Sequence, residues 1–175
     1  NAMGSGISNS SALCFGGKQP SLSPRDLVLN ESYDGSSWTE IADMNAGKQD
    51  GGGFGTQTSA VCLSGYPIPG ASCETWDGSS WTEVNNNNTA RGTFGKSGTS
   101  STVGIIFGGG NPGNEYLGIA ETWDGTNWAE VADLTTGRSQ NAGAAQGTST
   151  ATLCFGGETP PYTGITESWN GTSWT

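Results

Sequence analysis

The sequence predicts an all-β repeat protein built from four small antiparallel sheets, and three observations carry that prediction. One phrase recurs four times, as ESYDGSSWTE (31–40), ETWDGSSWTE (74–83), ETWDGTNWAE (121–130) and ESWNGTSWT (167–175). The closing tryptophans of successive copies are 43, 47 and 46 residues apart, a period that fits one small sheet. No stretch spaces its apolar residues by three and four, so we expect no helix.

A second phrase keeps the same period and predicts a buried strand in each unit. SALCFGG ends at Gly17, SAVCLSG at Gly65, VGIIFGG at Gly109 and ATLCFGG at Gly157. Short apolar runs bounded by glycine are typical of buried strands. Gly-rich segments precede these runs and predict a further strand. We therefore expect four strands in each unit, named a (Gly-rich), b (apolar), c and d.

The Trp phrase predicts a hairpin of strands c and d. Its glutamate and its first aromatic residue lie two positions apart and so share a face, and Asp-Gly or Asn-Gly supplies the tight reversal. We interpret the recurring positions as structural, with aromatic side chains between sheets and glutamates as partners of Lys48, Arg91 and Arg138 or of backbone amides. These positions are Trp38, Trp81, Trp128, Trp174, Tyr33, Trp76, Trp123, Trp169, Glu31, Glu74, Glu121 and Glu167.

Together these features resemble the kelch repeat, which forms the blade of a β-propeller. The resemblance rests on the apolar strand ending in two glycines, the aromatic-Asp turn, the later tryptophan and a basic residue before the next unit; Gly65 and Tyr66 stand in place of one glycine pair. It implies a single propeller domain over residues 4–175, with four-stranded blades at 4–45, 46–88, 89–135 and 136–175. Residues 1–3 are set aside as a cloning scar and start residue.

The number of blades in the complete ring stays open at the level of sequence. Four units are compatible with a closed four-bladed ring, with two chains that pair into a larger ring, or with part of a longer parent array. Isolated blades are not expected to fold, because a single sheet cannot cover its own apolar faces.

Charge and composition exclude several partners and chemistries. Six basic residues against sixteen acidic ones give a net charge of −10, which repels nucleic acid and anionic membranes. The chain has no His and no C-x-x-C pair, so zinc ligands and the commonest general base are missing. We expect no metal, no cofactor and no catalytic residue. The composition does not determine the compartment, but it slightly favours an extracellular, cell-surface or virion-associated location.

The cysteines are expected to be free and to act as small apolar side chains. Cys14 and Cys154 occupy the same place in strand b, and Cys62 sits one position earlier when Gly65 and Tyr66 are taken as the positions of the glycine pair.

A binding site is expected where the copies differ, because what recurs in every unit is scaffold. The b-to-c segments 18–30, 67–73, 110–120 and 158–166 share little, and they should emerge on the same side as the d-to-a connections. Loops on a rigid scaffold are common binding sites. The candidate ligand-binding residues are Arg25, Tyr66, Asn111, Asn114, Tyr116 and Tyr162.

The sequence therefore predicts a non-catalytic binding module that recognises a glycan or a protein through its loop-bearing face. One alternative is a structural or adhesive repeat array, such as a segment of a fibre, surface or virion protein, with self-association through open blade edges. Another is the non-catalytic part of a larger enzyme.

Overall fold

The described residues form an all-β structure, as predicted. A computed structural model of the protein describes residues 2–19, 21, 27–63, 65, 72–111, 113 and 115–175. These residues contain fifteen strands and no helix, and the strands form four antiparallel sheets of three or four strands each. Within this part of the chain, no helix is long and apolar enough to cross a membrane.

Each sheet is built from one repeat unit, with its strands in chain order. The first contains β1 (Met3–Ser8), β2 (Ser11–Phe15), β3 (Asn30–Tyr33) and β4 (Trp38–Ile41). The second contains β5 (Gly52–Thr56), β6 (Ser59–Leu63), β7 (Cys73–Trp76) and β8 (Trp81–Val84). The third contains β9 (Gly95–Ser100), β10 (Val103–Phe107), β11 (Ala120–Trp123) and β12 (Trp128–Val131). The fourth contains β13 (Ala142–Gly143), β14 (Thr152–Phe155) and β15 (Thr166–Trp169).

The fourth sheet departs from the expected four strands. Its strand a is only two residues long, because residues 144–147 form a turn, with the Gly147 N–H donating to the Ala144 carbonyl at 2.9 Å, in the segment where the other units continue the strand. Strand d is reduced to a bridge between Trp169 and Trp174.

The first strand begins earlier than the sequence analysis allowed. Met3, which was set aside with residues 1–2, belongs to β1, pairs with Phe15 and is buried in the core.

Strand pairing also corrects the alignment of the second unit. Cys62 is not one position early: the strand-b cysteines all lie opposite a strand-c glutamate, in the pairs Cys14 with Glu31, Cys62 with Glu74 and Cys154 with Glu167. Because Leu63 takes the place of Phe15, the glycine pair of the first unit corresponds to residues 64–65 in the second, and not to Gly65 and Tyr66. All four cysteines are free.

The core lies between consecutive sheets rather than within any one of them. We call the side of a sheet that faces the next unit its leading face and the opposite side its trailing face. Three apolar clusters fill the three spaces between sheets. In each cluster, the tryptophan at the start of the strand-d segment lies on a trailing face. It packs edge-on against a phenylalanine of the preceding unit. The ring pairs are Phe15 with Trp81 at 5.2 Å, Phe54 with Trp128 at 6.5 Å and Phe107 with Trp174 at 4.8 Å.

The strands a lie innermost and next to one another, with β1 against β5, β5 against β9 and β9 against β13. They border a common cavity of about 520 Å³ whose lining is rich in glycine. β1 and β13 both border this cavity, but they do not pack together as the other neighbours do.

Candidate functional site

Buried ion pairs fix the d-to-a connections of three units. Each pair joins a cation of the connection to the strand-c glutamate of the same unit, and both side chains are almost fully buried. The pairs are Lys48 with Glu74, Arg91 with Glu121 and Arg138 with Glu167. The carboxylates also accept hydrogen bonds from backbone N–H groups of the connection, at Asn45, Ala46, Asn88, Thr89 and Thr135.

These contacts decide the charge state of the Glu74 carboxylate. Burial alone would raise the pKa of Glu74, but hydrogen bonds from Lys48 and from the Asn45 backbone outweigh it, and the pKa is lowered. The Glu74 carboxylate is therefore ionised at neutral pH.

Two residues after each cation the backbone turns left-handed. Asp50, Thr93 and Gln140 have φ angles of 52°, 52° and 53°, a conformation that is uncommon outside glycine and costs roughly 1–2 kcal/mol. Backbone hydrogen bonds link them from unit to unit: the Thr93 N–H donates to the Asp50 carbonyl at 3.2 Å, and the Gln140 N–H donates to the Thr93 carbonyl at 2.7 Å. The strained positions thus form one continuous row across three units.

This row borders a cavity of about 280 Å³. All of its lining residues come from d-to-a and b-to-c connections, as the sequence analysis expected for the loop-bearing face. They are Asp50, Gly92, Thr93, Gly110, Asn111, Glu115, Tyr116, Ser139, Gln140 and Glu158. The two kinds of connection are joined by backbone bridges, Gly92 with Gly110 and Ser139 with Glu158.

The polar side chains of the cavity are already ordered by one another. Asn111 donates to the Glu115 carboxylate at 2.6 Å, and Gln140 donates to Glu158 at 2.6 Å. Tyr116 is half-buried, and desolvation followed by a hydrogen bond to the Glu158 carboxylate raises the pKa of its hydroxyl. Glu158 therefore receives two donors from two different units, which holds its carboxylate in place.

The two tyrosines singled out in the last two units occupy matching positions. Tyr116 bridges to Gly110, and Tyr162 bridges to Glu158 at the corresponding point of the fourth unit. Tyr116 lines the cavity, whereas Tyr162 is 72% exposed beside it. One ring therefore forms part of the wall, and the other is exposed to solvent next to it.

Three carboxylates lie around this cavity, those of Asp50, Glu115 and Glu158, and no Lys or Arg is among the described residues that line it. The field favours ligands that donate hydrogen bonds and disfavours anions. No group of three or more His, Cys, Asp or Glu residues is close enough to hold a metal within the described ranges.

The structure brings together only part of the predicted site. Asn111 and Tyr116 line the cavity, and Tyr162 stands next to it. Arg25, Tyr66 and Asn114 lie outside the described residues. Sequence reasoning missed Asp50, Thr93 and Gln140. One signal in the sequence could have identified them. The residue two places after Lys48, Arg91 and Arg138 differs from unit to unit, although the units are otherwise similar.

The recurring scaffold residues of the first unit differ in burial from those of the later units. The aromatic pairs of strands c and d stack within each unit, Tyr33 with Trp38, Trp76 with Trp81, Trp123 with Trp128 and Trp169 with Trp174. In the first unit, however, both Glu31 and Trp38 are exposed, and Glu31 forms no ion pair among the described residues. The trailing face of that sheet is not covered by a preceding unit.

The turn residues act through their own backbone. Asp34 accepts hydrogen bonds from the N–H groups of Ser36 at 2.8 Å and Ser37 at 2.9 Å, and Asn170 makes the equivalent bonds to Thr172 and Ser173, both at 2.9 Å. Asp and Asn are therefore interchangeable in this turn geometry.

Comparison with known proteins adds no relative: no family model matches the chain, and no curated protein matches it.

Proposed function

We propose that the protein is a non-catalytic binding module which recognises a neutral glycan at the cavity around Tyr116 and Glu158. The observation that carries the proposal is a preformed polar cavity whose lining side chains differ from unit to unit, while the scaffold beneath them repeats. A volume of about 280 Å³ suits one or two sugar rings, near the lower end of the range for ligand sites.

The chemistry of the wall favours sugars over other small ligands. Carboxylate, amide and phenol groups match the hydroxyl groups of a sugar, which donate and accept at fixed spacing. Tyr162 offers an exposed ring beside the cavity, and an aromatic face packs well on the apolar face of a sugar ring. The acidic lining disfavours sialylated or sulfated glycans.

We further propose that the four sheets are blades of a kelch-like β-propeller. The side-by-side inner strands β1, β5, β9 and β13 around one cavity support it. The position of the c-to-d turns also supports the propeller, because these turns lie at the opposite end of the strands from the ligand cavity.

Binding to a glycan panel tests the proposal. Glu158→Gln keeps a polar side chain but removes the charge that strengthens its hydrogen bonds, so affinity for a neutral glycan should fall about tenfold, or about 1.4 kcal/mol. Glu130→Gln is the matched control, because Glu130 is an exposed carboxylate on β12, outside the cavity. A preference for sulfated glycans, or equal losses in both variants, would contradict the assignment.

A further inference from the structure

The outer faces of the first and last sheets are exposed although their counterparts are buried. On the trailing face of the first sheet Trp38 is 49% exposed, whereas the equivalent tryptophans of the other units are 4–6% exposed. On the leading face of the fourth sheet Leu153 is 43% and Phe155 is 41% exposed. Their counterparts in strand b of the other units, such as Leu13 and Phe15, are almost completely buried.

The two exposed faces are the two halves of a contact that the chain already makes three times. In each internal contact, a leading-face phenylalanine meets the trailing-face tryptophan of the next sheet. Phe155 is the fourth such phenylalanine: it takes the place in β14 that Phe15 has in β2 and Phe107 in β10. Trp38 is the tryptophan that no preceding sheet covers.

The two halves do not meet within one chain. Both are exposed, and β1 and β13 do not pack as neighbouring inner strands do. Closure of the four sheets on themselves is therefore not realised in this structure, and an apolar surface remains at each end.

We infer that a second copy of this chain covers these ends, with the fourth sheet of each copy docked on the first sheet of the other. A contact between two different surfaces either closes into a ring or continues as a filament. Two copies supply eight sheets, and propellers close with four to eight blades, so a closed pair leaves no apolar end exposed. The inference does not depend on the ligand cavity, because none of the cavity residues lies on either end face.

Charge sets the conditions under which the pair should be observed. Each copy carries a net charge of −10, so two copies repel each other at low ionic strength. Salt screens this repulsion, while burial of aromatic and aliphatic surface is not weakened by it. Association should therefore become tighter as salt is added, opposite to the behaviour of a contact held by ion pairs.

Sedimentation equilibrium of the whole chain and two variants tests the inference. Trp38→Glu and Phe155→Glu each place a carboxylate in the contact, and each changes both contacts of the closed pair. The wild type should sediment with twice the mass of a single chain, and each variant should raise the dissociation constant by about 100-fold or more.

Both substituted side chains are exposed in the single chain, so the variants should fold. Thr82→Glu is the matched control, because Thr82 is an exposed residue of β8 in an internal unit, and it should leave the pair intact. A wild type that remains a single chain at every concentration and salt level overturns the inference. Pairing that survives Phe155→Glu also overturns it, since the contact would then join two first sheets.

Discussion

Replacement of Glu121 by Gln tests the role assigned to the buried ion pairs. Gln keeps the shape of the side chain and one oxygen, which can still accept from the Asn88 N–H, but the oxygen that accepts from the Thr89 N–H is replaced by an NH2 donor. It leaves the Arg91 guanidinium buried without its counter-charge, while Arg91 keeps its hydrogen bonds to backbone carbonyls such as that of Ile119. Breaking a buried pair from one side typically costs about 3–5 kcal/mol.

The chain contains its own control for this change. Glu31 occupies the same place in strand c of the first unit, but it is exposed and forms no ion pair within the described residues. Glu31→Gln should therefore lower the free energy of unfolding by less than about 1 kcal/mol. Two substitutions of the same chemistry should differ by several-fold in effect, because only one of them strands a buried cation.

Equilibrium unfolding in urea measures both effects. The two substitutions are best compared in a chain that also carries Phe155→Glu, so that association does not contribute to stability. The midpoint should shift at constant slope, which indicates a change in stability and not in the surface exposed on unfolding. Equal losses for Glu121→Gln and Glu31→Gln would refute the reasoning, since they would show that the ion pair adds nothing.

Three further predictions concern the turn, the sheet contacts and the strained backbone. Hydrogen bonds from Ser80 and Ser79 lower the pKa of Asp77 to about 2. The stability that the ionised Asp77 carboxylate adds is therefore complete above about pH 4 and is lost as the pH falls towards 2. Asp77→Asn, which mimics the Asn170 turn, should give a chain that loses less stability in acid titrations. In the same Phe155→Glu background, where association does not contribute, Trp81→Ala should cost about 3–5 kcal/mol in urea unfolding and Trp38→Ala only about 1 kcal/mol. Similar costs would count against the contrast in burial. Thr93→Gly should raise the free energy of unfolding by up to about 1 kcal/mol because φ is positive there, whereas Thr82→Gly in β8 should lower it.

The units and their strands could be predicted because their signals are local. A short apolar run closed by glycine and an Asp-Gly turn act over a few residues, and the structure places strands b, c and d of the first three units at those signals. The register of the second unit was misread because Ser64 replaces the first glycine of the pair. Counting from Gly65 and Tyr66 as the glycine pair places Cys62 one position early, whereas counting from Gly65 as the last glycine gives the observed pairing of Cys62 with Glu74.

The ends of the array and the ligand cavity depend on contacts that the local sequence does not contain. Trp38 and Trp81 lie in the same SSWTE segment, yet one is exposed and the other buried, because burial is supplied by the neighbouring sheet. In the same way, the sequence does not indicate a left-handed backbone at Asp50, Thr93 and Gln140, because none of them is glycine. Their conformation is imposed by hydrogen bonds between units.

The arrangement of ion pair and strained residue explains how one scaffold can place different side chains at the rim of one cavity. Arg91 pairs with Glu121 in the core, and two residues later Thr93 borders the cavity. Strain at such a position persists only when the surroundings fix it, and here the surroundings are the hydrogen bonds between units and the buried ion pair two residues earlier. The side chain at the strained position contributes little to the core, so it can be Asp, Thr or Gln without loss of the fold. In the proposed binding module, ligand preference would therefore reside in the residue at the strained position, and stability in the ion pair two residues before it.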